Sequence, residues 1–155
     1  MIEAYRITTS TDKAAAFSGD GAKKFGGRWN SAGVAVVYAA SHRSLSMLEI
    51  LVHLSGRSAL PGYVTFPLRF DESMVEDVAL ADLPQGWDAE PVQRASMAIG
   101  DAWVKAAARP VLAVPSAVVP EETNYILNPN HAAFRSITIG RSSPCRFDPR
   151  LAQKR

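Results

Sequence analysis

Cysteine is nearly absent from this chain of 155 residues, and Cys145 stands alone. No internal disulfide can form and no cysteine-rich metal site exists, so a reducing, cytoplasmic setting is expected. Neither sign of charge dominates: 17 Lys and Arg face 15 Asp and Glu, for a formal net charge of +2. The basic residues are scattered, with Lys23-Lys24 and Lys154-Arg155 the only adjacent pairs, which argues for a solvated surface and against direct nucleic-acid binding. No run approaches the ~18 apolar residues of a membrane span, and the opening MIEAYRITTS lacks the pattern of a signal peptide. A soluble, non-exported protein without membrane association is expected. The dinucleotide fingerprint GxGxxG is missing as well, which removes a Rossmann reading. With no repeat, low-complexity tract or linker, residues 1–155 are expected to form one domain.

What is present suits a globular core, at 47% apolar and 21% charged residues. Ile2 to Thr8 alternates as a first strand, and residues 11–27 predict an irregular connection. Val34 to Tyr38 reads as a short buried strand, followed by a helix that ends near Leu54 and is punctuated by Gly56 and Pro61-Gly62. Tyr63 to Phe70 predicts another strand, which Pro67 confines to an edge or a bulge. A second helix starts at Asp88 or Glu90, carries Pro91 in its first turn and Trp103 in the core, and stops before Pro110. Val111 to Val114 is a buried strand that delivers Ser116 at its end, while Thr123 to Phe134 reads as loop. Ile137 to Ile139 is a last short strand before a polar tail from Arg146 to Arg155. Strands mixed with two clear helices predict an α+β fold, a small mixed or split sheet with flanking helices.

The chemistry concentrates between Phe25 and His53. Arg28 and Trp29 follow Gly26-Gly27, where missing Cβ atoms permit close approach of backbone and ligand. Leu45, Met47, Leu48, Ile50, Leu51, Val52 and Leu54 predict a helix buried on nearly every side, in which Glu49 is costly. His42, Ser46, Glu49 and His53 form one polar stripe, spaced by four, three and four residues. The carboxylate either pairs with a buried Arg, turns to solvent, or serves a site shared with Arg28 and Tyr38 at a sheet edge. The stripe lacks HExxH spacing, so a metal site is not expected. Ser116 has no GxSxG elbow or placed His and is not read as a nucleophile.

The runs Gly26-Gly27-Arg28-Trp29-Asn30, Val37-Tyr38-Ala39 and Leu48 to His53 resemble the RES domain family, the toxin half of bacterial toxin–antitoxin pairs. Val114 to Pro120, Glu122 to Tyr125, Asn128 to His131 and Phe147 to Leu151 resemble its later blocks. The family is named for an Arg, a Glu and a Ser, matched to Arg28, Glu49 and Ser116. The resemblance implies an ADP-ribosyltransferase-like fold that holds NAD, as substrate and not as a resident cofactor, between two small sheets. Glu49, Arg28 and Tyr38 would be catalytic, with Arg28, Tyr38, Ser116, Arg6 and Asn128 contacting NAD. It implies cleavage of the nicotinamide–ribose bond with transfer of ADP-ribose to water or phosphate, or alternatively to a host-cell protein. An Xre-type helix-turn-helix antitoxin is the implied partner, and a homodimer is one state the chain allows.

Overall fold

The computed structural model describes residues 1–54 and 60–152. The expected break at Gly56 and the final Lys154-Arg155 lie outside the described residues. The elements run β1 (Ile2–Thr8), α1 (Lys13–Ala16), α2 (Asp20–Phe25), β2 (Val37–Ala40), α3 (Arg43–His53), β3 (Tyr63–Phe70), β4 (Val75–Asp77), α4 (Arg94–Ala106), β5 (Val111–Pro115), β6 (Thr123–Leu127), β7 (Thr138–Ile139) and β8 (Ser143–Cys145). Short 3-10 turns fill several connections. The α+β expectation holds, and among the described residues no helix is long and apolar enough to cross a membrane.

The strands form one mixed sheet in the order β4-β5-β6-β2-β1-β3-β7, with β8 also on β3. Only β4 and β5 run parallel among the described pairs. A thin seam crosses this sheet: β1 and β2 pair at a single position, Tyr5 with Ala40. Arg6 bridges the seam, its Nη1 donating to the Tyr38 carbonyl at 2.9 Å and its Nε to the Ala16 carbonyl at 2.7 Å.

Strand alternation divides the core into two layers. Ala4, Val37, Ala39, Phe66, Leu68, Phe70, Val111, Ala113 and Leu127 face one side, where Ala16, Phe17 and Ile137 cover them. Val36, Leu112, Val114 and Ile126 face the other, beneath Trp29, Trp87 and Trp103. Because both faces of β5 are covered, all five of its residues are buried, which is why it reads as a continuous apolar run. Each fully buried Leu, Val or Phe here contributes roughly 1.5–3 kcal/mol.

Several expectations change. The connection at 11–27 contains α1 and α2, because the Asp12 side chain caps Ala15 N–H at 3.0 Å ahead of three alanines. Helix α4 starts at Arg94 and not at Asp88 or Glu90; the Trp87 and Ala89 carbonyls are taken by Arg28 instead of a helical ladder. Thr123–Leu127 is no loop but a strand held between β5 and β2. Strand β7 is not the last, since β8 follows. Strand β3 has neighbours on both sides, yet Pro67 falls where the outer partner changes from β8 to β7. Its carbonyl accepts from Gly140 N–H on that side, so the N–H it lacks would also have pointed there. Helix α3 is not enclosed: it lies on β1 and β2 with Leu45 and Ser46 buried, while Leu48 and Val52 are 40% and 51% exposed.

Candidate functional site

Two groups of side chains lie on the face of the sheet that carries Trp29 and Val114. In the first, Glu49 reaches from α3 to the ends of β5 and β6. Its Oε1 accepts from Ser116 Oγ at 2.7 Å and from Asn124 Nδ2 at 2.6 Å. No Lys or Arg pairs with the carboxylate among the described residues, and Oε2 takes no hydrogen bond from any of them. The buried-Arg alternative is therefore set aside. Ser116 is fully buried, and its oxygen also accepts from the N–H groups of Val118 and Val119, both at 3.0 Å. The Ser116 hydroxyl, expected to contact NAD, here donates to the carboxylate and accepts from its own turn.

The second group holds the Gly26-to-Ser31 loop. Gly26 has φ +73°, and a Cβ on Gly27 would lie 2.6 Å from the Tyr38 hydroxyl, so both glycines are demanded by the loop's path against β2. Tyr38 donates to Asn30 Oδ1 at 2.6 Å and accepts from Trp29 N–H at 3.1 Å. Asn30 is fully buried and donates in turn to the Ala22 and Val34 carbonyls. On the far side, Asp101 of α4 accepts from the Ser31 backbone and hydroxyl. Burial pushes the Tyr38 hydroxyl well above its ordinary range, so it stays a donor. Tyr38→Phe would strand Asn30 Oδ1 and Trp29 N–H, and is expected to cost ~1–3 kcal/mol, seen as a lower Tm.

Arg28 emerges from this loop. Its Nη1 donates to the carbonyls of Trp87 at 2.9 Å and Ala89 at 3.0 Å, and its Nη2 stands 3.5 Å from the exposed Glu90 carboxylate. Stacking of Trp29 on Trp87, with ring centroids 6.1 Å apart, fastens the same two segments. Nε takes part in no hydrogen bond among the described residues.

The two groups share one face through strand register. Tyr38 pairs with Ile126 and Ala40 with Asn124, so Tyr38 and Asn124 are diagonal neighbours, with Cα atoms roughly 7–8 Å apart. The sequence pattern placed Glu49, Arg28, Tyr38 and Ser116 together; Glu49 is hydrogen-bonded to Ser116, Tyr38 shares the sheet face of Asn124 through the β2-β6 register, and Arg28 stands on the loop bonded to Tyr38. The same reading missed Asn124, assigned to a loop, although the alternation Asn124, Ile126 against Tyr125, Leu127 is the signal of a strand.

Two expected NAD contacts do not join them. Arg6 points to the opposite face over the Phe17 ring, with Nε and Nη1 donating to backbone carbonyls; burial lowers its pKa to about 10, still charged near neutrality. Asn128 follows β6, at the far end from Asn124, and its Oδ1 accepts from Asn130 N–H at 3.0 Å in a turn. Nor is a dinucleotide-sized cleft preformed in either of two concavities: one of about 140 Å³ involves Asp77, Pro115 and Glu122, another of about 260 Å³ Tyr5, Arg43 and Arg69, and neither has Glu49 or Arg28 in its wall. Glu49 stands half-buried at an open surface.

Comparison with known proteins places the chain in a family. A protein named Prs ADP-ribosylating toxin from Sphingobium sp. is 43% identical over 155 residues, covering 97% of this chain and 96% of that one. A protein named Toxin Res from Yersinia enterocolitica is 37% identical over 148 residues, covering 95% of this chain and 97% of its own. In fold, the chain is similar to one in the crystal structure of the M. tuberculosis MbcT–MbcA toxin–antitoxin complex, with a TM-score of 0.78 at 19% identity over 97% of this chain and 86% of that one. The model of the RES domain matches residues 3–148, and with relatives this similar along nearly its whole length the chain belongs to the RES domain family.

Proposed function

We propose that this protein is the toxin of a toxin–antitoxin pair and arrests growth by cleaving the nicotinamide–ribose bond of cytoplasmic NAD. The observation that carries the reading is the Glu49 carboxylate, gripped through one oxygen by two neutral donors and neutralised by no cation among the described residues. A carboxylate kept only for the fold would pair with a cation or turn freely to solvent. This one is held through Oε1 and leaves Oε2 open.

Cleavage breaks the bond between ribose C1′ and the nicotinamide nitrogen. The electron pair leaves with nicotinamide, which departs neutral, and positive charge grows on the ribose ring as in glycoside hydrolysis. A fixed carboxylate beside that ring stabilises the growing charge, and because the leaving group needs no proton a second acid is not required. An oxygen of water or phosphate then bonds to C1′, and a water acceptor releases its proton to solvent. The pyrophosphate suits the Arg28 fork through Nε and Nη2 once the exposed Glu90 contact gives way, since such a surface pair is worth little. Tyr38, its hydroxyl committed to the loop, has only its ring to offer the substrate. NAD is the substrate, and the scheme calls on no resident cofactor or metal.

Arg28→Lys keeps a charge but lacks the planar fork that holds two backbone carbonyls and an anion at once. The KM for NAD is expected to rise by about tenfold or more, in steady-state kinetics, with a smaller change in kcat.

A second reading keeps the bond broken and changes the acceptor to a protein. The name of the Sphingobium relative, Prs ADP-ribosylating toxin, favours it. Treating a cell extract with labelled NAD and the purified enzyme separates the two: free or phosphorylated ADP-ribose supports NAD destruction, and label on a protein band supports modification. A product pool with neither, and NAD left intact, would remove both. The restraint on such an enzyme is an antitoxin, proposed as Xre-type, that covers the Glu49 face and supplies the DNA-binding surface; the MbcT–MbcA complex supports such a partner by likeness of fold.

A further inference from the structure

We propose that Asn124 is the positioning residue that commits Glu49 to a single working oxygen, an inference that rests on the NAD-cleaving reading above. A carboxylate only accepts hydrogen bonds, so the amide NH₂ of Asn124 must face Glu49 and its Oδ1 must point away. That oxygen is buried and has no partner among the described residues. Across the strands, Asn124 lies opposite Val114 on one side and Ala40 on the other, both apolar and buried. An apolar side chain of similar volume would fill this place without an orphaned acceptor, so packing alone does not account for an asparagine.

The carboxylate accounts for it. Each carboxylate oxygen has about two lone-pair sites, and Ser116 and Asn124 together fill those of Oε1. The terminal torsion of Glu is otherwise broad, and with Ser116 alone the group can turn and exchange its oxygens. Two donors from two different strands, at 2.7 Å and 2.6 Å, hold Oε1 inward and leave Oε2 as the oxygen with free lone pairs. Asn124 thus lowers the stability of the sheet slightly and raises the fraction of molecules whose carboxylate is set for the reaction. It acts through Glu49 and touches no substrate.

The test is steady-state NAD cleavage and thermal melting of full-length wild type, Asn124→Leu and Asn124→Ala. For Asn124→Leu the expected result is a kcat lower by about tenfold or more, a KM for NAD within about twofold, and a Tm equal to or above wild type. Asn124→Ala, which leaves a cavity, should show the same fall in kcat whatever its Tm, and it decides the matter should the leucine variant fail to fold. A kcat that is unchanged in both, or that falls only in step with Tm, overturns the positioning role. Wild-type protein that releases no nicotinamide overturns the NAD reading and this inference with it; active wild type beside unaffected Asn124 variants overturns the inference alone.

Discussion

Glu49→Gln is expected to leave a protein that folds as before and releases nicotinamide from NAD at a rate lower by about 10²–10³, the effect of removing one well-placed electrostatic stabiliser. The substitution is close to surgical here. A glutamine carbonyl can still accept from both Ser116 Oγ and Asn124 Nδ2 in the place of Oε1. What changes is the other end, where an uncharged NH₂ replaces Oε2 and no longer balances positive charge on the ribose. Because the two inner hydrogen bonds survive, Tm should stay within a degree or two of wild type, about the shift that a few tenths of a kcal/mol produces in a chain of this size. A loss of activity with a matching loss of Tm would mean that the carboxylate serves the fold.

The largest structural effect is expected at Gly100, on α4. A Cβ built there would lie 1.7 Å from the Trp29 carbonyl oxygen and 2.7 Å from its carbonyl carbon, both backbone atoms that cannot swing aside. Gly100→Ala must therefore push α4 off the Gly26-to-Ser31 loop, and it also disturbs the neighbouring Asp101 contacts to Ser31. Overpacking of this kind costs ~1–3 kcal/mol or more, and since Arg28 rides on that loop NAD cleavage should fall with Tm. Gly21→Ala is the matched control: it is the second residue of α2, its added Cβ would meet nothing within 4 Å, and alanine is the better helix former, by at most ~1 kcal/mol and less in a first turn. It should leave activity unchanged and raise Tm slightly. A Gly100→Ala protein as stable and active as wild type would show that α4 does not seat the loop.

These two sites differ in how openly the sequence displays them. Strand β3 is legible at both ends, because Tyr63 to Phe70 is bounded by Gly62 and Asp71. Strand β5 is legible as an apolar run, and Glu49 as a carboxylate out of place among leucines. What surrounds Glu49 is not legible, for Ser116 and Asn124 stand 67 and 75 residues away and only the β5-β6-β2 register brings them in. Strand β6 is masked by Asn124, Asn128 and Pro129, each a turn former by local chemistry, until tertiary pairing overrides the preference. The start of α4 is hidden for a related reason: Pro91 suits a first helical turn, but the Arg28 guanidinium, about 60 residues upstream, captures the Trp87 and Ala89 carbonyls first. Arg6 shows the converse, a residue whose type suits an anion and whose position on the opposite face of the sheet assigns it to the seam.

Nicotinamide release is the shortest route to the central claim. Purified protein, freed from any antitoxin, is incubated with NAD and the nicotinamide formed is quantified by chromatography against the NAD remaining. The account predicts many molecules of nicotinamide per molecule of wild-type enzyme, with loss of an equal amount of NAD and almost none of either with Glu49→Gln. NAD that stays intact with folded wild-type protein, or that is consumed equally by the Glu49→Gln variant, would contradict it.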